Sequence, residues 1–210
     1  MTINAKTLFD PNLEKDNCGF GLIAQRNGKR SRKLVKKSII GLTSMTHRGA
    51  IGADGKTGDG CGLLFDLNHP FFKFKVSKEL DVELPDFFAV AQLFHKNDID
   101  FYYSSISKFL NSQDLEISVT RTVPVNNEVL GKIARQNLPN ISQVFITSKN
   151  INLNKERFEA CLLQARKFIE EKFDNDEEFY VCSMSTQTIV YKGLMLPSAI
   201  DEFYLDLKDK

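Results

Sequence analysis

The residue types able to carry bond-making chemistry are few: four cysteines, three histidines and one glycine-rich stretch. Cys18, Cys61, Cys161 and Cys182 form no C-x-x-C pair, and His47, His69 and His95 form no H-x-x-x-H. That spacing offers no structural zinc site. A cysteine without such context is by default a small packed hydrophobe. Cys161, on the apolar stripe of a helical pattern, and Cys182, inside a strand-like run, keep that assignment. Gly55-Lys56-Thr57 invites a phosphate-loop reading. The motif needs glycine at position 50, where Ala50 stands, and a helix after Thr57, where Gly58-Asp59-Gly60 and an apolar strand follow. A dinucleotide fingerprint is missing too, because Gly19 and Gly21 open a strand-like run instead of joining a strand to a helix. Taken alone, 46–60 is a glycine-rich loop between a helix and a strand.

The elements around that loop follow from periodicity. Residues 18–25 read as a short strand, and Ser31 as the cap of a helix to about Thr46, with Val35, Ile39 and Leu42 on one face. A strand follows at 62–67, and another at 87–94. Asp98 caps a helix whose apolar positions are Ile99, Tyr102, Tyr103, Ile106, Phe109 and Leu110. Residues 115–125 alternate as a strand, 129–137 form a short helix, and 143–147 another strand. Asn154 opens the clearest helix, striped by Phe158, Cys161, Leu162, Ala165, Phe168, Ile169 and Phe173. Strands at 179–184 and 188–191 suggest a hairpin near Ser185-Thr186, and 198–207 is helix-like. Mixed elements without repeats or linkers indicate α+β or layered α/β.

Composition sets the outer bounds. The chain has 210 residues, 42% hydrophobic and 26% charged, which excludes disorder and collagen-like structure. No run approaches the roughly 20 apolar residues of a membrane span, and the polar 1–17 has no signal-peptide core. Scattered thiols without such a signal fit a cytoplasmic location. A net charge of +1 gives no general drive towards nucleic acid or membrane. One local exception stands out: Arg26, Lys29, Arg30, Arg32, Lys33, Lys36 and Lys37 with no acid among them. A solvated face is the default for such a run, and docking to an acidic partner is the functional alternative. Ten of the twelve glycines lie at 19–62, so one quarter of the chain has a special backbone.

Three segments bear on that quarter together. Glu14-Lys15-Asp16-Asn17-Cys18-Gly19-Phe20-Gly21 resembles the maturation site of the glutamate synthase large subunit, where a propeptide ends before a cysteine. His47-Arg48-Gly49-Ala50, with Asp54 and Thr57-Gly58-Asp59-Gly60, is similar to that family's next signature. Thr188-Ile189-Val190-Tyr191-Lys192-Gly193 resembles a third, in the same order and spacing. The resemblance implies a class II glutamine amidotransferase domain: an α+β, four-layer αββα sandwich of the N-terminal nucleophile hydrolase type. It divides the chain into a propeptide, 1–17, and the domain's N-terminal part, 18–210.

The resemblance makes Cys18 the nucleophile, and the chemistry fits. An amide is a poor electrophile, so a covalent thioester splits one high barrier into two. An N-terminal cysteine brings its own base, since an α-amino group with a pKa of about 7.7–8.0 works near neutral pH. That amine exists only once 1–17 is removed. Gly19, Arg48, Gly58 and Asp59 are the implied pocket residues, with Thr57 in the floor or the loop behind it. Arg48 either organises the pocket or is a buried structural arginine paired to Asp54 or Asp59. Cys61 is expected to be a packed thiol and His47 a structural hydrogen-bond partner.

Further expectations come from the same source. The substrate is glutamine, and the released ammonia aminates 2-oxoglutarate in the remaining synthase domains. There FMN, an iron–sulfur cluster, and a small reductase subunit or ferredoxin take part, with no cofactor in this chain. The family's carboxylate-binding arginine, Asn-Gly oxyanion pair and amine-holding aspartate follow the third signature, in a His-Ser-Arg-Phe-Ser-Thr-Asn type segment beyond Lys210. Losing an oxyanion donor costs about 3–4 kcal/mol, so a truncated domain with little glutaminase activity of its own is expected. The alternatives are another class II amidotransferase and a non-catalytic module that docks through 26–37.

Overall fold

The computed structural model describes residues 19–150 and 153–208. Its first helix, α1 (Arg32–Ser44), starts where the Ser31 hydroxyl accepts the Leu34 N–H at 3.3 Å. That contact answers one of the amides a helix cannot pair by itself. After the 46–60 loop come β1 (Cys61–Asp66), α2 (His69–Leu80), β2 (Ala89–His95) and α3 (Ile99–Asn111). The chain continues through β3 (Leu115–Thr122), α4 (Lys132–Gln136), β4 (Asn140–Ser148) and α5 (Lys155–Lys172). It ends with β5 (Phe179–Ser185), β6 (Thr188–Gly193) and α6 (Ile200–Phe203). Asp98 and Asn154 cap α3 and α5 as their positions predict.

Two antiparallel sheets result, one of four strands in the order β3-β4-β2-β5 and one formed by β1 and β6. Strand alternation gives each four-stranded face its own core. Ala89, Ala91 and Leu93 of β2 pack with Tyr102, Ile106, Leu162 and Ile169 of α3 and α5 on the outer side. Val90 and Phe145 face inward and join Leu63, Phe65, Ile189 and Tyr191 of the small sheet. Helix α1 lies against β1. Helices and two facing sheets make an α+β sandwich, as the resemblance implies.

Four sequence expectations change, and one helix is added. No strand forms over 19–25, where Phe20 and Leu22 are each 91% exposed. Residues 20–25 belong to neither sheet, and extended backbone outside a sheet is not a stable strand. The hairpin at 185–186 is not one either, because β5 pairs with β2 while β6 crosses to pair with β1. Side chains replace the ladder: Ser183 Oγ accepts the Val190 N–H at 3.3 Å, and Gln92 Nε2 donates to the Val190 carbonyl at 2.7 Å. Residues 129–137 keep only α4, after a 3-10 turn at Asn127–Val129. The 198–207 segment breaks at Tyr204, which bridges Val125. Helix α2 is new, its Phe72-Lys73-Phe74-Lys75-Val76 run having a strand's alternation. Its start is signalled only by the Asn68 cap and Pro70 in the first turn.

One buried ionic centre fastens the inner side. Arg121 of β3 is 1% exposed. Its Nε and Nη2 donate to Glu79 at 2.7 and 3.1 Å, and its Nη1 and Nη2 to Asp206 at 2.7 and 2.8 Å. Nη1 also donates to Gln143 Oε1 at 2.9 Å, so all five guanidinium N–H groups are used. Burial alone would push Arg121 down, but Asp206 and Glu79 outweigh it and hold the guanidinium above its ordinary value. Replacing Arg121 by Met leaves Glu79 and Asp206 with only the longer pairs to Lys75, at 3.3 and 3.8 Å, and is expected to lower unfolding free energy by about 3–5 kcal/mol in urea. Arg121→Lys recovers only part, because one ammonium cannot bridge both partners bidentately. A loss below about 1 kcal/mol for Arg121→Met would contradict this account.

Candidate active site

A groove of ≈ 1420 Å³ opens where the 46–60 loop, β1 and the end of β6 meet. Its lining includes Gly19, Arg48, Gly58, Asp59, Cys61 and Lys192. Gly19, Arg48, Gly58 and Asp59, implied for the pocket by the resemblance, are therefore in one place, while Thr57 is buried in the loop and does not line the groove. Cys18 lies outside the described residues, one peptide bond before Gly19.

The loop owes its shape to two carboxylates and several close approaches. Asp59 Oδ2 accepts the Ala50 N–H at 2.7 Å, and Ile51 bridges Gly58. Asp54 Oδ1 accepts the Lys56 and Thr57 N–H groups at 3.0 and 2.8 Å, and Oδ2 accepts the Thr57 hydroxyl at 2.6 Å. Oδ2 also accepts the Ile133 N–H of α4 at 3.3 Å. A Cβ on Gly58 would stand 2.8 Å from the Met195 carbonyl oxygen, so a side chain there would separate the loop from the end of β6. At Gly19 a Cβ would lie 3.2 Å from Arg48 Cγ, which places the two residues in contact.

Arg48 is exposed and, among the described residues, makes no ion pair with Asp54 or Asp59. Of the two alternatives for Arg48, the buried, carboxylate-paired arginine is not the one found. Both carboxylates already receive loop donors, and the guanidinium is left on the groove. His47 is exposed and pairs its Nδ1 with the Ser44 carbonyl at 3.1 Å, a structural contact. His69 and His95 likewise each turn a ring nitrogen to a main-chain carbonyl, of Phe88 at 3.0 Å and Asn97 at 2.6 Å. Cys61 is half-buried, and burial pushes its thiol up to about 11, as expected of a packed side chain. Among the described residues no group of three or more His, Cys, Asp or Glu is placed to hold a metal ion.

Sequence reasoning missed Lys192, whose Nζ stands 4.0 Å from the Tyr180 ring centre in the groove. It also missed Gly131, whose only signal is an isolated glycine before a short helical pattern.

The Thr57 hydroxyl, then the Thr57, Lys56 and Ile133 amides, hold the Asp54 carboxyl well below the usual carboxylate range. A depressed folded value means that the loop keeps this support at and above the ordinary Asp pKa of about 3.9 and loses it only in stronger acid. Amide shifts of Lys56 and Thr57, followed by NMR, should show no inflection between pH 5 and about 3.5. An inflection near pH 3.9 would show that the carboxylate is not held as described.

Residues 18–210 match the family of class-II glutamine amidotransferases. The NADPH glutamate synthase large chain of Bacillus subtilis is 35% identical over 218 residues, spanning 100% of this chain and 14% of that protein. The ferredoxin-dependent glutamate synthase of Pyropia yezoensis is 38% identical over 213 residues, 97% of this chain and 14% of its own length. The NADH glutamate synthase of Saccharomyces cerevisiae is 33% identical over 213 residues, 95% of this chain and 10% of its own. The chain thus spans 10–14% of the length of these relatives. With the family match running from Cys18 through both walls of the groove, the chain belongs to the class-II glutamine amidotransferases.

Proposed function

We propose that the chain is the glutaminase part of a glutamate synthase, with Cys18 as nucleophile once residues 1–17 are removed. The observation that carries this reading is the convergence of Gly19, Arg48, Gly58 and Asp59 on one groove, with Gly19 bonded directly to Cys18. The family match starting at residue 18 supports the same boundary.

The reaction follows from groups already named. The Cys18 thiol gives its proton to its own α-amino group, and the sulfur attacks the glutamine side-chain amide carbon. The amide nitrogen takes a proton and leaves as ammonia, giving a thioester. Water then cleaves the thioester to glutamate and restores the thiol. Arg48, uncommitted to a carboxylate and in contact with Gly19, organises the nucleophile's surroundings, while Gly58 and Asp59 form the wall facing it. The ammonia serves amination of 2-oxoglutarate in the remaining synthase domains, using FMN, an iron–sulfur cluster and electrons from ferredoxin or a small reductase subunit. Cys61, Cys161 and Cys182 stand in β1, α5 and β5 and do not suit a cluster, so no step here passes through one. No helix among the described residues is long and apolar enough to cross a membrane. Together with the thiol content, we take the setting to be the cytoplasm.

Two measurements on the full-length gene product test the reading. Intact mass should show loss of 1–17, and an electrophilic glutamine analogue at pH 8 should modify Cys18. Cys61 and Cys182, both pushed up to about 11 by burial, should be spared. At that pH such thiols hold roughly one thiolate in a thousand. A retained N-terminus without labelling of Cys18, or a Cys18→Ala variant that still hydrolyses glutamine, would overturn the proposal.

A further inference from the structure

We infer that Asp54, with Gly131 opposite it, is a positioning residue for the glutaminase reaction: it docks the loop bearing Gly58 and Asp59 onto α4 and so fixes the groove wall. The inference rests on the function proposed above and adds residues that the nucleophile motif does not account for.

The docking is made from both sides. The first turn of a helix leaves its amides unpaired, and α4 has Gly131 at its cap, with no side chain to answer them. A loop far earlier in sequence does so instead. Asp54 Oδ2 takes the Ile133 N–H at 3.3 Å, and Thr57 Oγ1 takes the Ala134 N–H at 3.4 Å while donating its own proton to Asp54. The absence of a side chain at Gly131 is what lets the loop in. A Cβ there would collide with Asp54 Oδ2 and Thr57 Oγ1 and stand 2.7 Å from Thr57 N. The two features explain each other: the glycine vacates the space, and the carboxylate supplies the missing cap.

The consequence reaches the groove within a few residues. Gly52 donates its N–H to the Thr57 carbonyl at 2.8 Å, and Ile51 bridges Gly58, so Thr57 cannot move without its neighbours. On the far side Gly58 presses on the Met195 carbonyl. The wall is thus held between α4 and the turn after β6, and releasing Asp54 frees one of its two sides. Global stability rests elsewhere, because Asp54 and Thr57 belong to neither hydrophobic core.

The test compares Asp54→Asn, Thr57→Val and Thr57→Ser in the full-length gene product, reading kcat and KM for glutamine beside Tm. An asparagine presents an NH2 where the carboxylate received donors, and valine removes the hydroxyl link. Both should raise KM about tenfold, with a smaller fall in kcat and a Tm change of a few degrees. Thr57→Ser keeps the hydroxyl and should stay within about twofold of wild type. Asp86→Asn, which cuts an exposed ion pair with Lys73, is the control. Unchanged kinetics in Asp54→Asn and Thr57→Val overturn the inference, as does a collapse of Tm in step with activity, which would mark a global pin. Should the wild-type protein fail to hydrolyse glutamine, the functional reading fails instead. The docking is then judged by hydrogen exchange at Ile133 and Ala134: protection lost in Asp54→Asn upholds it, and protection retained overturns it.

Discussion

The buried guanidinium of Arg121 is the constraint on which the inner side of the fold depends. Removing a charge from water is costly, and the cost is offset only when geometry and hydrogen bonding are complete. Here completeness requires Glu79 from α2, Asp206 from the last turn and Gln143 from β4 to meet at one point. Three parts of the chain remote in sequence are therefore placed at once. The same polar chain runs on, with Gln143 donating to Gln92 at 3.2 Å and Gln92 to the Val190 carbonyl of β6. Strand β6 carries Lys192 and Gly193 into the groove, so the ionic centre and the candidate site are linked by consecutive hydrogen bonds through four strands, β3, β4, β2 and β6.

Order is distributed unevenly as a result. The four-stranded sheet has a filled core on each face, where Tyr102, Phe145, Phe158 and Leu162 are at most 1% exposed. Around the groove large apolar side chains stay open to solvent: Leu64 at 66%, Ile51 at 54% and Leu194 at 51%. Binding sites are drawn from the less stable end of a structure, because a surface already satisfied by its own packing has nothing to offer a ligand. A close-packed scaffold holding one open, glycine-built wall meets both needs.

What could be read from the sequence divides along physical lines. Helices α3 and α5 were legible because their stripes are buried by one sheet face, so periodicity and burial coincide. Helix α2 was not, because only Phe72 and Val76 of its apolar residues are buried while Phe74 is 61% exposed. Its alternating Phe-Lys pattern points to the wrong period. The false hairpin at 185–186 shows another limit: which sheet β6 joins is decided by side chains of Gln92 and Ser183 that no local pattern reveals. Ordered motifs pointed to Gly19, Arg48, Gly58 and Asp59, which the structure brings to one groove. They did not identify Gly131, whose reason for being glycine lies on the Asp54 loop, more than seventy positions away.

The chemistry of the groove also bears on why an N-terminal thiol is suited to it. A cysteine nucleophile needs a base within reach, and the usual partner is histidine. Among the described residues lining the groove there is no histidine. The carboxylate there, Asp59, is occupied by the Ala50 amide, and the thiol there, Cys61, is pushed up by burial. Lys192 and Arg48 favour anionic species but cannot accept a proton while charged. A wall of this composition can hold a substrate and steady a thiolate without activating one. In the proposed reaction the base is the α-amino group of Cys18 itself, so that reaction turns on removal of 1–17.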